Sequence, residues 1–521
     1  MLRVFFLQCG GSELSYEQYR VSLIKSYYDN QLETLLSDFD PRRRTVILLP
    51  GGMGSQLMRT ESAYPASPNV INDIVWIDLG IALWDDALTL EIDAAGQDMD
   101  AHVIAAHGPL KFLTENPYGD LKSRAIARNW NYAVFGYDWR RPLNESAGYF
   151  KSWILDFRQR VIDRYGSNSD PIPRLTIVCH SMGGLVATSA LADPNFGSLG
   201  FNAVATIATP FYGTSTQQER YFKGVSTLNN IYDPEDVVRI VASLPGPYTL
   251  MFLPKAIYDR DKQKIGLNRY PEFDSTNSAI PCDPYNPAMK PRWPTAVRNH
   301  WPQVEAARDE MIGIADPIHP AIRPKFINIR STLDPTTAVE LSWNNVDGDT
   351  IDPDTSPSPV TGLAGPGDGT VPAWSAFHAD CINRRDLAQA RDHANLLRHD
   401  EVLTLIEKIV TTGKLSARTA RSRAGTKPVS TQQKLNRMLG DLAKRSPGAP
   451  VPAELFEAPV QRALISDLIG GTKPTIEGPA DPAAAAAGVA ATSPKKARKA
   501  AKKAKKKATA KKAKPKRKAK R

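Results

Sequence analysis

The chain has 521 residues, 42% hydrophobic and 8% aromatic, room for one large catalytic domain with accessory segments or for two or three ordinary domains with a sizeable core. Its formal charge of +11 suggests a nucleic-acid-binding body until the charge is placed: 17 Lys/Arg and no acidic residue fall in the 27 positions 495–521, and the rest carries 49 basic against 55 acidic side chains. The body is therefore mildly acidic, and the basicity belongs to one tail. The four cysteines, Cys9, Cys179, Cys282 and Cys381, lie far apart and form no CxxC pair, which argues against a disulfide framework or structural zinc site and for a reducing compartment. Val4–Leu7 is too short for a signal-peptide core, and no run approaches the ~20 apolar residues that span a bilayer. The expected location is the cytoplasm, with the option of a peripheral position at a membrane or lipid surface.

Residues 1–44 read as an N-terminal helical extension, because Val21, Ile24, Tyr28, Leu32, Leu35 and Leu36 recur at helical spacing between positions 14 and 37. From residue 45 the pattern changes. Thr45–Leu49 is a short apolar run ended by Pro50-Gly51-Gly52-Met53-Gly54, and Tyr132–Phe135 is a second, ended by Gly136-Tyr137-Asp138-Trp139-Arg140. A helical stretch with Trp153, Phe157, Val161 and Tyr165 on one face follows. Then come the run Leu175–Cys179, a helix Met182–Leu191, the run Ala203–Ala208 and, later, Lys325–Arg330. Short apolar runs alternating with amphipathic helices predict an α/β fold, a mostly parallel sheet covered by helices on both faces.

Between about 213 and 324 this alternation lapses into a stretch rich in proline and aromatics, including Leu244-Pro245-Gly246-Pro247-Tyr248, Trp293 and Trp301. An insertion of that size between strands reads as a lid or cap. The catalytic region, 45–413, closes with a helix Val402–Val410. Residues 414–494 form a linker rich in Pro, Ala and Ser with two short helical segments, and 495–521 a low-complexity Lys/Ala tail expected to be disordered in isolation.

The sharpest local signal is Ile177-Val178-Cys179-His180-Ser181-Met182-Gly183-Gly184. It sets a serine on the turn between a buried strand and a helix, with small residues two positions to either side. Such a turn projects the hydroxyl above the sheet and aims the following backbone N–H at a developing oxyanion. The pattern is G-x-S-x-G with Cys179 in place of the first glycine; the alternative is a serine capping an ordinary helix.

An α/β-hydrolase built on that turn needs an acid and then a histidine further along the chain. Of the eight histidines, His102, His107 and His180 precede or adjoin the serine, and His300 and His319 fall in the insertion. His393, just before the final helix, is favoured as base, with His399 second; His378 stands only ten residues after the favoured acid. That acid is Asp368 in Gly367-Asp368-Gly369-Thr370-Val371-Pro372, where flanking glycines free the backbone to turn a carboxylate inward. Asp334 is the alternative, and Asp347 and Asp349 read as surface turns. The loop Leu49–Ser55 follows the first core strand, where this fold usually supplies a second oxyanion donor; it lacks the Gly-Lys-Ser/Thr ending of a phosphate-binding loop.

Taken together, these motifs resemble the lecithin:cholesterol acyltransferase family, which includes phospholipid:diacylglycerol acyltransferases and lysosomal phospholipase A2. The matching pieces are Pro50–Leu57, Tyr137-Asp138-Trp139-Arg140, His180–Gly184, Thr209-Pro210-Phe211-Tyr212-Gly213-Thr214 and Gly367–Pro372, in order within about 45–412. The resemblance implies an α/β-hydrolase fold with a mobile lid and acyl transfer from a lipid ester through an acyl–Ser181 intermediate. It implies Asp368 and His393 as the partners of Ser181, and Gly52 and Met182 as oxyanion-hole donors. It also likens Val75–Leu79 onward, with Trp84, to a membrane-touching subdomain, and so implies transient contact with a membrane surface. No metal or organic cofactor is implied. The disulfides of secreted members have no counterpart here, and the Lys/Ala tail is foreign to the family.

Two rival readings are a carboxylesterase of the same fold acting on soluble esters, and an idle hydrolase scaffold tethered by its tail to an anionic polymer. Lys495–Arg521 would bind phosphates without sequence preference and lose them steeply with salt, so DNA, RNA, polyphosphate and anionic lipid are all eligible partners. Oligomeric state is not legible.

Overall fold

The structure, a computed structural model, describes residues 2–3, 15–60, 70–76, 90–99, 102–111, 116–225, 228, 233–274, 277–343, 361–390, 392–415, 461–462, 464–466 and 468. After the two-residue strand β1 (Leu2–Arg3), helix α1 (Tyr16–Ser37) starts at Ser15. The Ser15 hydroxyl accepts the Gln18 N–H while the Gln18 side chain accepts the Ser15 N–H, a reciprocal capping box that satisfies two otherwise orphaned donors. The helix buries Tyr19, Leu23, Tyr27, Leu32 and Leu36 against the body, so the predicted extension is part of the main core.

The apolar runs form the sheet they predict. Strands β2 (Thr45–Leu49), β3 (Ser55–Thr60), β4 (Val70–Trp76), β5 (Ile104–Pro109) and β6 (Asn131–Val134) are followed by β7 (Leu175–His180) and β8 (Ala203–Ile207). Beyond the insertion, which contains β9 (Glu272–Asp274), come β10 (Phe326–Arg330), β11 (Asp334–Trp343), β12 (Thr361–Gly367) and β13 (Asn383–Asp386). The central sheet has the order β13-β10-β8-β7-β2-β6, and every pairing in it is parallel. Because successive side chains point to opposite faces, Val46, Leu48 and Val178 enter one core while Ile47, Leu49, Ile177 and Cys179 enter the other. Both faces are dry, which is why these strands read as unbroken apolar runs.

Helix α2 (Gly119–Ala127) precedes β6, α3 (Leu143–Tyr165) joins β6 to β7, and α4 (Met182–Leu191) joins β7 to β8. The chain thus leaves the sheet's middle at β2, steps outward to β6, and returns past β2 to β7. Neighbouring strands β2 and β7 therefore send their carboxyl-end loops in opposite directions, the crevice where ligands bind in open parallel sheets.

Two smaller sheets flank this one, of order β1-β4-β3-β5 and β12-β11-β9. The segment 213–324, expected as a lid or cap, contains α5 (Ser215–Lys223), α6 (Pro234–Ser243), α7 (Lys255–Ile265) and α8 (Trp301–Ile314). Its aromatics Tyr221, Tyr248, Tyr285, Trp293 and Trp301 are buried in the main core. The final helix, α9 (Asp400–Thr412), covers the opposite face with Val402, Leu405, Ile406 and Ile409. Part of the expected 414–494 linker also enters the main core: Leu464, Ile465 and Leu468 are essentially inaccessible. The Lys495–Arg521 tail, Asp347, Asp349 and Trp84 lie outside the described residues. No described helix is long and apolar enough to cross a membrane.

Candidate active site

The turn between β7 and α4 carries Ser181 at φ 51°, in a region that non-glycine residues rarely adopt. The Ser181 N–H still bonds the Ile207 carbonyl at 2.9 Å, so the sheet holds the turn from one side. Its sharpness depends on Gly183, where a Cβ would lie 2.4 Å from the Pro50 carbonyl oxygen and 2.5 Å from that of Leu49. Only glycine lets α4 approach β2 that closely. Cys179, in place of the motif's first glycine, is fully buried, and burial pushes its thiol well above its ordinary pKa; it is a small core residue.

Asp368 and His393 converge on Ser181. His393 Nδ1 lies 2.8 Å from Asp368 Oδ2, and its Nε2 2.8 Å from Ser181 Oγ. A carboxylate only accepts, so Nδ1 carries the proton and Nε2 offers its lone pair to the serine hydroxyl. The other carboxylate oxygen, Asp368 Oδ1, accepts the N–H groups of Thr370 and Val371 at 3.0 and 2.7 Å. The His393 N–H in turn bonds the Asp368 carbonyl at 3.2 Å. The acid is thereby locked before it touches the imidazole, and both side chains are about 2% exposed.

The alternatives lie elsewhere. Asp334 accepts the N–H of Thr336 at 2.9 Å, at the start of β11. His399 sits at the N-terminus of α9. His378 is buried with Nε2 donating to the Ile314 carbonyl at 3.0 Å, and burial lowers its pKa to about 4.

The glycine loop after β2 faces Ser181 across the crevice. Gly54 N–H closes a turn onto the Gly51 carbonyl at 2.9 Å, and Met53 holds φ 59°. Trp76 Nε1 donates to the Met53 carbonyl, and Tyr137 Oη to that of Pro50, at 2.9 and 3.0 Å. A Cβ on Gly52 would lie 3.1 Å from Met182 Sδ, which places Gly52 beside the first residue of α4. Among the described residues, neither the Gly52 nor the Met182 N–H has a protein acceptor. Of four non-glycine residues with positive φ among those described, Met53 and Ser181 both belong to this site, a concentration typical of strained functional loops.

The crevice at Ser181 is lined by Met53, Trp139, Met182, Pro247, Leu250 and Val371, with Gln217 and Arg220 as its larger polar groups. Trp139 lies in the chain between Asp138 and Arg140, two members of a buried ion cluster. Arg140 lies 2.7 Å from Asp138 and 2.9 Å from Asp98, which Arg141 reaches at 3.0 Å. Burial opposes ionisation of Asp138, and the adjacent Arg140 guanidinium outweighs it, holding the carboxyl below its usual range. The Arg140 carbonyl also accepts the Gly246 N–H at 2.9 Å, tying the loop that presents Pro247 and Leu250. Trp76 turns inward onto Trp139, with ring centroids 5.3 Å apart, and Val75 is buried; the rest of the segment likened to a membrane-touching subdomain, 77–84, lies outside the described residues.

Several residues here were not singled out in the sequence. Gln217 and Arg220 lie in the insertion without a motif. Tyr118, whose hydroxyl accepts the Gly51 N–H at 3.0 Å, lies 67 positions from it. The docked segment near Leu468, whose carbonyl accepts from Arg220 Nη2 at 2.9 Å, was read as linker. Its burial signal is the triplet Leu464, Ile465 and Leu468 at helical spacing.

A family model described as a PGAP1-like alpha/beta domain matches residues 124–237, the stretch from α2 through Ser181 to α6. Among solved structures, the chain is similar to one in the Tle4–Tli4 complex, with 14% identity over 71% of this chain and 99% of that one, at a TM-score of 0.47. It is also similar to the mature form of the Bacillus licheniformis lipase BlEst2, with 13% identity over 46% of this chain and 71% of that one, at a TM-score of 0.21. A search of curated proteins finds no match. The fold is of the α/β-hydrolase type: a six-stranded parallel sheet between helices, with a serine on the turn after a central strand.

Proposed function

We propose that the chain is a serine hydrolase or acyltransferase acting on lipid esters, with Ser181 as nucleophile, His393 as general base and acid, and Asp368 as the group that orients it. The observation that carries this reading is the unbroken hydrogen-bond line from Asp368 through His393 to Ser181, at 2.8 Å in both steps. Ser181 Oγ attacks the ester carbonyl carbon as its proton passes to His393 Nε2, and the carbonyl electron pair moves onto oxygen. The N–H groups of Gly52 and Met182 receive that oxyanion. The C–O bond to the alcohol then breaks, and the departing alkoxide takes the proton from His393. Water or a second alcohol repeats the sequence on the acyl–serine, returning a fatty acid or a new ester.

A lipid substrate is supported by the apolar walls of the crevice and by the ordered motifs resembling the lecithin:cholesterol acyltransferase family. The PGAP1-like alpha/beta match over residues 124–237 is consistent with ester cleavage. The Lys495–Arg521 tail is proposed to bring the enzyme to anionic surfaces without entering the chemistry.

The test uses purified protein and its Ser181→Ala variant on phospholipid vesicles containing a long-chain alcohol, with acyl products resolved. New ester made only by the intact protein establishes an acyltransferase. Free fatty acid alone makes it a lipase or phospholipase, and turnover of soluble esters alone moves the substrate class. Turnover that survives Ser181→Ala unchanged overturns the mechanism.

A further inference from the structure

His180 directly precedes the nucleophile and packs against the Gly51 loop, yet the reaction scheme gives it no task. Its ring is 1% exposed. Nε2 lies 2.9 Å from the backbone carbonyl oxygen of His393, and Nδ1 lies 3.3 Å from Tyr118 Oη. Chemistry settles every donor in this line. A carbonyl only accepts, so Nε2 carries the proton. Burial, followed by the nearby His393, lowers the ring's pKa to about 3, so the ring is neutral near pH 7 and Nδ1 is an acceptor. The Tyr118 hydroxyl must then donate to Nδ1, and its oxygen is left to accept the Gly51 N–H at 3.0 Å.

The result is a directed chain: Gly51 N–H to Tyr118 Oη, Tyr118 O–H to His180 Nδ1, His180 Nε2–H to the His393 carbonyl. Its far end continues from the His393 N–H to the Asp368 carbonyl at 3.2 Å. One end holds the loop that presents the Gly52 N–H, and the other holds the backbone of the base. Gly51 packs directly on the relay, since a Cβ there would lie 3.1 Å from His180 Nδ1 and 3.0 Å from the Ser181 Cβ. The neutral ring matters as well as its bonds. The His180 and His393 rings are 5.0 Å apart, so a charged His180 would oppose the imidazolium that His393 becomes during the reaction.

We infer that His180 and Tyr118 are positioning residues that act as one unit, registering the oxyanion loop around Gly51–Gly52 against the base His393. This inference rests on the acyl–Ser181 reading. A buried neutral relay is suited to the task because each unmade bond would leave a polar atom without water, so the two loops share one preferred geometry. Its loss is felt where the geometry must be best, in the transition state, and not in ground-state binding.

The experiment measures kcat and KM on p-nitrophenyl butyrate, with thermal unfolding, for Tyr118→Phe, His180→Phe, the double variant and His180→Gln. Each phenylalanine variant is expected to lower kcat about tenfold with KM held within about twofold. The double variant is expected within about threefold of the poorer single, because breaking one line twice costs little more than breaking it once. His180→Gln, whose amide N–H can reach the His393 carbonyl, is expected to recover most of the His180→Phe loss. Unchanged kcat in folded Tyr118→Phe or His180→Phe overturns the inference, as does multiplicative loss in the double variant, loss confined to KM, or a His180→Gln variant no better than His180→Phe. If His180→Phe does not fold, Tyr118→Phe still decides. Failure of the underlying reading looks different: the wild type turns over no ester, or Ser181→Ala remains active.

Discussion

At the residue scale, the site is a set of short-range constraints on three side chains. The Asp368 carboxylate is held by two backbone N–H groups before it meets His393, so in the proposed mechanism its contribution is orientation and charge rather than proton transfer. Asp368→Asn keeps the shape but allows the amide to donate toward Nδ1, which favours the wrong imidazole tautomer. We expect kcat to fall by about 10^4-fold with KM little changed, measured on a chromogenic ester; a loss below tenfold would move the acid elsewhere. Ser181, Asp368, Gly52 and Met182 could be picked out as candidates because each lies in a glycine-marked turn after a strand, where local sequence dictates backbone geometry, and His393 because it follows the acid and stands just before the final helix. Tyr118 and His180 were not, because the contacts that give them meaning span 62 and 213 residues of chain. No local pattern encodes such a pairing.

At the element scale, legibility followed burial. The central strands announce themselves because both faces are dry, whereas β13, Asn-Arg-Arg-Asp, is an edge strand with no apolar residue to mark it. Strand β12, Thr-Gly-Leu-Ala-Gly-Pro-Gly, has poor intrinsic strand preference and exists through its pairing with β11. That pairing sets the position from which Asp368 turns inward. Residues 464–466 and 468 show the converse: short helical segments were expected in this linker, but its composition does not announce that one of them docks on the core. Ile465 is fully buried there. We predict that Ile465→Ala destabilises the protein by about 3 kcal/mol in chemical denaturation, the cost of a core cavity. A change under about 0.5 kcal/mol is the surface-residue result and would show that the segment is not docked.

At the scale of the whole molecule, two properties follow from where charge is placed. Buried His378, with its pKa lowered to about 4 from an ordinary 6.5, takes up a proton on unfolding. Its stabilising effect is complete above about pH 6.5 and is lost as pH falls toward about 4. Buried Glu272 runs the other way: burial raises its pKa well above the ordinary 4.5, so it lowers stability as pH rises through that range. Total stability against pH therefore mixes signs, and the informative quantity is a difference. Wild type should lose stability relative to His378→Gln by about 1.4 kcal/mol per pH unit across that window, read from urea unfolding at several pH values; parallel curves would contradict it. The tail supplies the second property. Removing residues 495–521 should abolish salt-sensitive binding to anionic vesicles or polyphosphate, and leave turnover of a soluble ester within about twofold. A tenfold loss of soluble-ester turnover would place the tail in the catalytic unit.

The central claim is that Ser181 becomes covalently acylated, and the most direct test is to trap it. Treatment with a fluorophosphonate followed by peptide mass spectrometry should place a single phosphonyl adduct on Ser181, abolished in Ser181→Ala and slowed strongly in His393→Ala. No adduct on a folded wild-type protein, or an adduct on another residue with Ser181 unmodified, would contradict it.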